Sequence, residues 1–221
     1  MSYAVAFDLD DTLAVTDRAR ETLLSAAADR ADLELSFDRT EYREAHRTHS
    51  GSDTREPVFE SLVDADAPAL TRAYRDVIGE ALRPVEGAGP LLATLRTRYR
   101  IGLLTDGPGE TQRDKLGRLG WTGTFDAIVV TGPIGAPKPD PRAFESITDA
   151  LGVPPERTVY VGDDPERDIE GAKAAGLRPI QVCYAGGPDA HPAAEAVIPR
   201  EELGSLSDRL ESFFGDGSDG A

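Results

Sequence analysis

The sequence predicts a doubly wound α/β fold: a parallel, Rossmann-like sheet covered by helices on both faces, with one helical cap domain inserted. Short apolar runs recur at Tyr3–Phe7, Ile101–Leu104, Ala127–Val130, Thr158–Val161 and Pro179–Val182, and each reads as a buried strand. Helical patterns lie between them, over Ala88–Arg98, Glu110–Leu119, Pro141–Leu151 and Glu166–Ala175. Strand and helix alternating through short linkers is the pattern of a parallel sheet buried on both sides. The third observation is a block, from about Ala14 to Arg83, with amphipathic helical patterns and no convincing strand.

The punctuation agrees with these elements. Pro141 suits a first helical position, where its missing N–H costs nothing. Gly120, Gly152 and Gly176 each follow a helical run, where a left-handed residue closes the helix. Inside the block the helical patterns run near Asp17–Arg30, Arg39–Thr48, Glu56–Val63 and Pro68–Leu82, and Arg83-Pro84 ends it. The division expected is a catalytic core over 1–13 and 84–215, a helical cap over 14–83, and a disordered polar tail over 216–221.

Composition narrows the function classes. With 39% hydrophobic and 29% charged residues, the 221-residue chain can bury a core, although aromatics are only 6%. That core must rest mainly on Ala, Val, Leu and Ile. No apolar run is long enough to cross a bilayer, the first residues lack a signal-peptide pattern, and the single Cys183 excludes an intramolecular disulfide framework. A cytoplasmic protein is expected. The formal charge of −16 disfavours nucleic acid and anionic membrane as partners, because no broad basic surface is available to release counterions. Oligomeric state is not readable.

Four motifs carry chemistry, each at the carboxyl end of an expected strand or the opening of a helix, where open α/β sheets bind ligands. The first is Phe7-Asp8-Leu9-Asp10-Asp11-Thr12-Leu13. Two carboxylates one residue apart can divide nucleophilic attack from proton transfer, although an acidic turn is ordinary in so acidic a chain. In the second, Leu103-Leu104-Thr105-Asp106-Gly107, a hydroxyl and a close-approaching N–H can hold an anionic oxygen. The third, Pro137-Lys138-Pro139-Asp140-Pro141, keeps one of only three lysines, a compact charge that fits beside phosphate and carboxylate together. Lys115 and Lys173 also persist, without an evident role. The fourth, Gly162-Asp163-Asp164-Pro165-Glu166-Arg167-Asp168, gathers carboxylates whose mutual repulsion calls for a hard divalent cation, which points to Mg²⁺.

The four motifs in this order resemble the haloacid dehalogenase superfamily, a group consisting mostly of phosphatases, and the helical insert resembles its C1 cap by position. The resemblance implies that Asp8 is the nucleophile forming an aspartyl-phosphate and that Asp10 protonates the leaving alcohol and then activates water. It implies that Thr105 and the Gly107 N–H, beside Asp106, hold the phosphoryl oxygens, with Lys138 offsetting charge. It further implies Mg²⁺ held by Asp8, the Asp10 carbonyl and Asp163, with Asp168 as a direct or indirect partner and Asp164 undecided. Asp106 departs from the asparagine often found at its position. Asp10 and the acidic fourth motif argue against dehalogenation.

The function expected is thus a Mg²⁺-dependent phosphatase for a small phosphate monoester. A phosphotransferase or phosphomutase of the same superfamily, and a non-catalytic binding protein on this fold, are the alternatives. In the cap, Arg39, Arg43 and Arg47 fall at i, i+4 and i+8 on one helical face. They are candidate substrate contacts, or a surface face paired to Glu41 and Glu44.

An acidic chain with 21 arginines against three lysines fits either a protein adapted to molar salt or an acidic surface encoded by a GC-rich genome. Molar salt shortens the Debye length to about 3 Å and relieves self-repulsion. The first reading predicts that stability and activity require high salt. A thermal midpoint and turnover in dilute buffer equal to those in molar KCl would remove it.

Overall fold

The computed structural model describes residues 2–49, 52–64 and 66–215, with only the backbone of Ser212 and Gly215; the expected tail at 216–221 lies outside them. The strands are β1 (Ala4–Phe7), β2 (Ala14–Thr16), β3 (Leu82–Pro84), β4 (Arg100–Thr105), β5 (Ala127–Val130), β6 (Thr158–Gly162), β7 (Arg178–Cys183) and β8 (Ala196–Pro199). The helices are α1 (Arg20–Ala31), α2 (Arg39–His49), α3 (Glu56–Glu60), α4 (Ala67–Ala81), α5 (Ala88–Leu95), α6 (Gly109–Leu119), α7 (Thr131–Ile134), α8 (Pro141–Leu151), α9 (Gly171–Ala174) and α10 (Leu206–Gly215).

Successive side chains of a strand point to opposite faces, and β1 shows what that does here. Val5 and Phe7 enter one core with α5 and α10, while Ala4 and Ala6 enter the other with α8; all four are fully buried. The second face is built from small residues so that a helix can come close. A Cβ on Gly102 of β4 would stand 2.9 Å from Ile147 and Leu151 of α8. Six strands form one sheet in the order β5-β4-β1-β6-β7-β8, and every adjacent pair is parallel. The central strand β1 has β4 on one side and β6 on the other, so the chain winds outward in both directions from it.

The inserted block folds around its own core, in which Leu23, Phe59, Leu70, Tyr74 and Ile78 are all buried. Its aromatics pack on one another: Tyr74 meets Phe59 and Tyr42 edge-on, with ring centroids 5.4 and 5.7 Å apart. Helix α2 opens with a reciprocal cap. The Asp38 carboxylate accepts from the Thr40 and Glu41 N–H groups at 2.7 and 2.9 Å, and Glu41 accepts from the Asp38 N–H at 2.8 Å.

The stretch expected to hold no strand contains parts of two. Strands β2 and β3 pair antiparallel at the two points where the chain enters and leaves the helical block. At three residues each they are too short for a period to show. Strand β8 and helix α10 were not expected either. The expected helix over Glu166–Ala175 is interrupted. Its first part, Pro165–Glu170, is a wide turn in which the Ile169 N–H reaches the Asp164 carbonyl at 3.2 Å, and only Gly171–Ala174 is α-helical.

Candidate active site

The order of strands reverses beside β1, and the crevice at such a switch point is where an open sheet binds ligands. Asp8 follows β1, Thr105 ends β4 and Asp163 follows β6. The structure therefore brings together three of the four motifs by topology alone. The remaining one, the third, brings Lys138 from the loop before α8. A cavity of about 430 Å³ lies over these residues, between the core and the helical cap.

Lys138 is the hub. Its ammonium donates to Asp8 Oδ1 and Asp168 Oδ1, both at 2.7 Å, and to the Tyr160 hydroxyl at 3.1 Å. Burial opposes its charge, but Asp168 and Asp8 more than offset that and hold its pKa well above the usual value. Asp168 is fully committed. Its Oδ1 also accepts from Tyr160, and its Oδ2 accepts from the Asp163 and Asp164 N–H groups at 3.1 and 3.0 Å. This explains the wide turn, which lets the Asp168 side chain fold back under its own loop. Asp164 caps the same turn, accepting from the Glu166 and Arg167 N–H groups.

Asp106 lines the cavity and also braces a loop. Its Oδ1 accepts from the Thr131 hydroxyl at 2.7 Å and from the Lys138 N–H at 3.0 Å, so it fixes the loop that delivers the lysine. Gly107 has φ 125°, a left-handed conformation that side chains resist.

Asp10 has partners the motifs did not reveal. Lys115 of α6 donates to both of its oxygens at 2.6 Å, and the Gln112 amide bridges Asp10 Oδ2 at 3.0 Å and the Thr105 hydroxyl at 2.5 Å. Burial alone would raise the Asp10 pKa, but the Lys115 charge and the bonds from Lys115 and Gln112 hold it at about 2. Lys115 thus has a role after all. The signal in the sequence was its spacing: Gln112 and Lys115 lie at i and i+3, on one face of a helix.

Carboxylate oxygens of Asp8, Asp163 and Asp168 lie within 4.8 Å of one another. Burial, then Asp168 and Asp163, push Asp8 well above the usual carboxylate range against the pull of Lys138. Burial, Asp168 and Asp11 push Asp163 up to about 7. The Asp163 oxygens are steadied by the hydroxyls of Thr12 at 3.3 Å and Tyr184 at 3.2 Å. Such an all-oxygen set can hold a hard metal ion, whose charge offsets the repulsion among carboxylates gathered at one point.

The cap faces this acidic floor with cations. Arg39, Arg43 and Arg47 all line the cavity with His46 of the same helix, and so do Arg20 and Arg55, which the sequence did not single out. Arg39 pairs with Glu21 rather than Glu41, and Arg47 stands 3.9 Å from Glu44.

Residues 4–176 match the haloacid dehalogenase-like hydrolase family. The chain belongs to that family. It is similar to a glyceraldehyde 3-phosphate phosphatase of Methanopyrus kandleri, 32% identical over 92% of this chain and 93% of that protein. A phosphoserine phosphatase of Thermus thermophilus is 33% identical over 57% of this chain and 59% of its own length. Among solved structures, an HAD phosphatase from Thermococcus onnurineus superposes with a TM-score of 0.70 at 25% identity, covering 95% of this chain and 98% of the other. The fold, with its helical cap, is that of this hydrolase family.

A Cβ on Gly162 would overlap the Asp168 carboxylate, which its hydrogen bonds hold in place. Gly162→Ala is expected to lower unfolding free energy by about 1–3 kcal/mol. An unchanged denaturation midpoint would show that Asp168 moves aside freely.

Proposed function

We propose that the protein is a Mg²⁺-dependent phosphatase that hydrolyses a small phosphate monoester through an aspartyl-phosphate on Asp8. The observation that carries this reading is the buried Asp8 carboxylate, held at the switch point by Lys138 through one oxygen only. The other oxygen is available to attack phosphorus as the bond to the leaving alcohol breaks. Thr105, at the end of β4, and the Gly107 N–H receive the phosphoryl oxygens, and Lys138 offsets their charge.

Asp10 handles the protons. As a carboxylate with a pKa near 2, it is ready to take a proton from the water that attacks the aspartyl-phosphate, releasing phosphate and restoring Asp8. It serves the earlier, acidic half when incoming phosphoryl charge competes for Lys115, or when the ester brings its own proton. Lys115 and Gln112 are positioning residues for this group.

The donors for Mg²⁺ are the carboxylates of Asp8 and Asp163 and the Asp10 backbone carbonyl. When bound, the ion neutralises phosphoryl oxygen charge and orients the ester. Asp168 is assigned to holding Lys138 and the loop, because both of its oxygens are already engaged. A role for Asp164 as ligand is disfavoured by its capping bonds. Arg39, Arg43 and Arg47 form the outer rim over the ester. Adaptation to molar salt belongs to the same proposal, supported by the composition alone.

Hydrolysis of a generic aryl phosphate in molar KCl tests the reading. Turnover is expected to require Mg²⁺, to stop on chelation, and to vanish in Asp8→Asn. Metal-independent turnover, or activity surviving in Asp8→Asn, would defeat it. Lys115→Met is expected to lower kcat about 10- to 100-fold. It should also raise the Asp10 pKa, moving the acid limb of the pH–rate profile to higher pH. A variant with an unchanged profile would remove Lys115 from the proton machinery.

A further inference from the structure

The cap presents more positive charge to the cavity than one phosphoryl group uses. In a chain of net charge −16, five arginines of the cap line a single cavity whose carboxylates all come from the core. The three on α2 have an ordinary explanation. Arg39 is paired at 2.9 Å, Arg43 is exposed, and Arg47 is an exposed rim residue near Glu44.

Arg55 and Arg20 differ. Arg55 is 7% exposed, donates to the Tyr42 hydroxyl at 2.7 Å and lies over the Tyr74 ring at 5.3 Å. Its Nε is buried without a hydrogen-bond partner. Arg20 donates to the Tyr74 hydroxyl at 3.3 Å. Among the described residues, no carboxylate forms an ion pair with either. Asp10, across the cavity, is already engaged by Lys115 and Gln112. Tyr42 and Tyr74 pack edge-on at 5.7 Å inside the cap core, so both guanidinium groups are held on a stiff frame. For Arg55, a buried guanidinium with an unused donor and no ion-pair partner is costly unless a ligand completes it. His46 beside them adds no charge: burial, then Arg55 and Arg20, hold its pKa at about 3.

We propose that Arg55 and Arg20 bind a second anionic group of the substrate, a carboxylate or a second phosphate carried away from the transferred phosphoryl group. This deepens the phosphatase reading and rests on it. The substrate class is then a short phosphate monoester with an oxyanion at its far end. Planar guanidinium groups suit such an oxyanion, because two parallel donors meet its two oxygens.

The test compares kcat/KM for 2-phosphoglycolate, ethane-1,2-diyl bisphosphate and ethyl phosphate in Mg²⁺ buffer. Each is measured on the wild type, Arg55→Met, Arg55→Lys and Arg20→Met. One of the doubly anionic esters is expected to exceed ethyl phosphate by about 10- to 100-fold, and which one identifies the second group. Both Met variants should collapse that ratio, and Arg55→Lys should restore part of it. The ratio is read within one preparation, so loss of folded protein cancels, and Arg20→Met carries the test if Arg55→Met does not fold. A wild type that takes ethyl phosphate equally well, or a ratio surviving both substitutions, overturns the proposal and leaves the phosphatase reading standing. No turnover of these esters or of an aryl phosphate defeats both.

Discussion

Lys138 sits in a buried triad with Asp8 and Asp168, and the site is arranged around its charge. Both carboxylates are almost out of solvent, and a buried charge is costly unless it is paired. The lysine joins elements far apart in the chain: the end of β1 through Asp8, the wide turn after β6 through Asp168, and β6 itself through Tyr160. The Tyr160 hydroxyl continues the network to the Leu104 carbonyl on β4 at 3.1 Å. Three neighbouring strands are therefore tied together at their carboxyl ends by one ammonium group. A neutral side chain there would leave two buried acids facing each other.

A division of labour among carboxylates follows from that constraint. Asp8 is left with one uncommitted oxygen. Asp168 spends both oxygens on holding the lysine and the loop, whereas Asp164 gives one oxygen to its turn and Asp106 one to the loop that carries Lys138. Asp10 is assigned to a second lysine, isolated from the first. Five acidic side chains of one type thus reach different bonding states through their partners rather than through their identity.

Much of this was legible because it is local. Asp8, Thr105 and Asp163 stand directly after apolar runs, and strand ends are where a parallel sheet presents side chains to ligand. Pro141 and Gly152 bound α8 as expected. What escaped depends on contacts distant in sequence. Lys115 acts on a residue 105 positions away; its spacing from Gln112 marks a shared helix face but not the carboxylate that face meets. Arg55 and Arg20 gain their meaning from two tyrosines on other helices. The turn at Pro165–Glu170 read as helix because its periodicity is nearly helical, and only the backward reach of Asp168 widens it. Strands β2 and β3 owe their existence to each other rather than to any pattern within them.

That last pair settles how the helical block is attached. Thr16 lies opposite Leu82 and Ala14 opposite Pro84, so the chain departs and returns at adjacent points. To the sheet, the whole excursion is a single stitch that a tight hairpin could close. The strand ends that carry Asp8, Thr105 and Asp163 are set by the sheet's own pairing, whatever hangs from the stitch. A lineage could exchange one canopy for another, and with it the molecules admitted, while those strand ends keep their places.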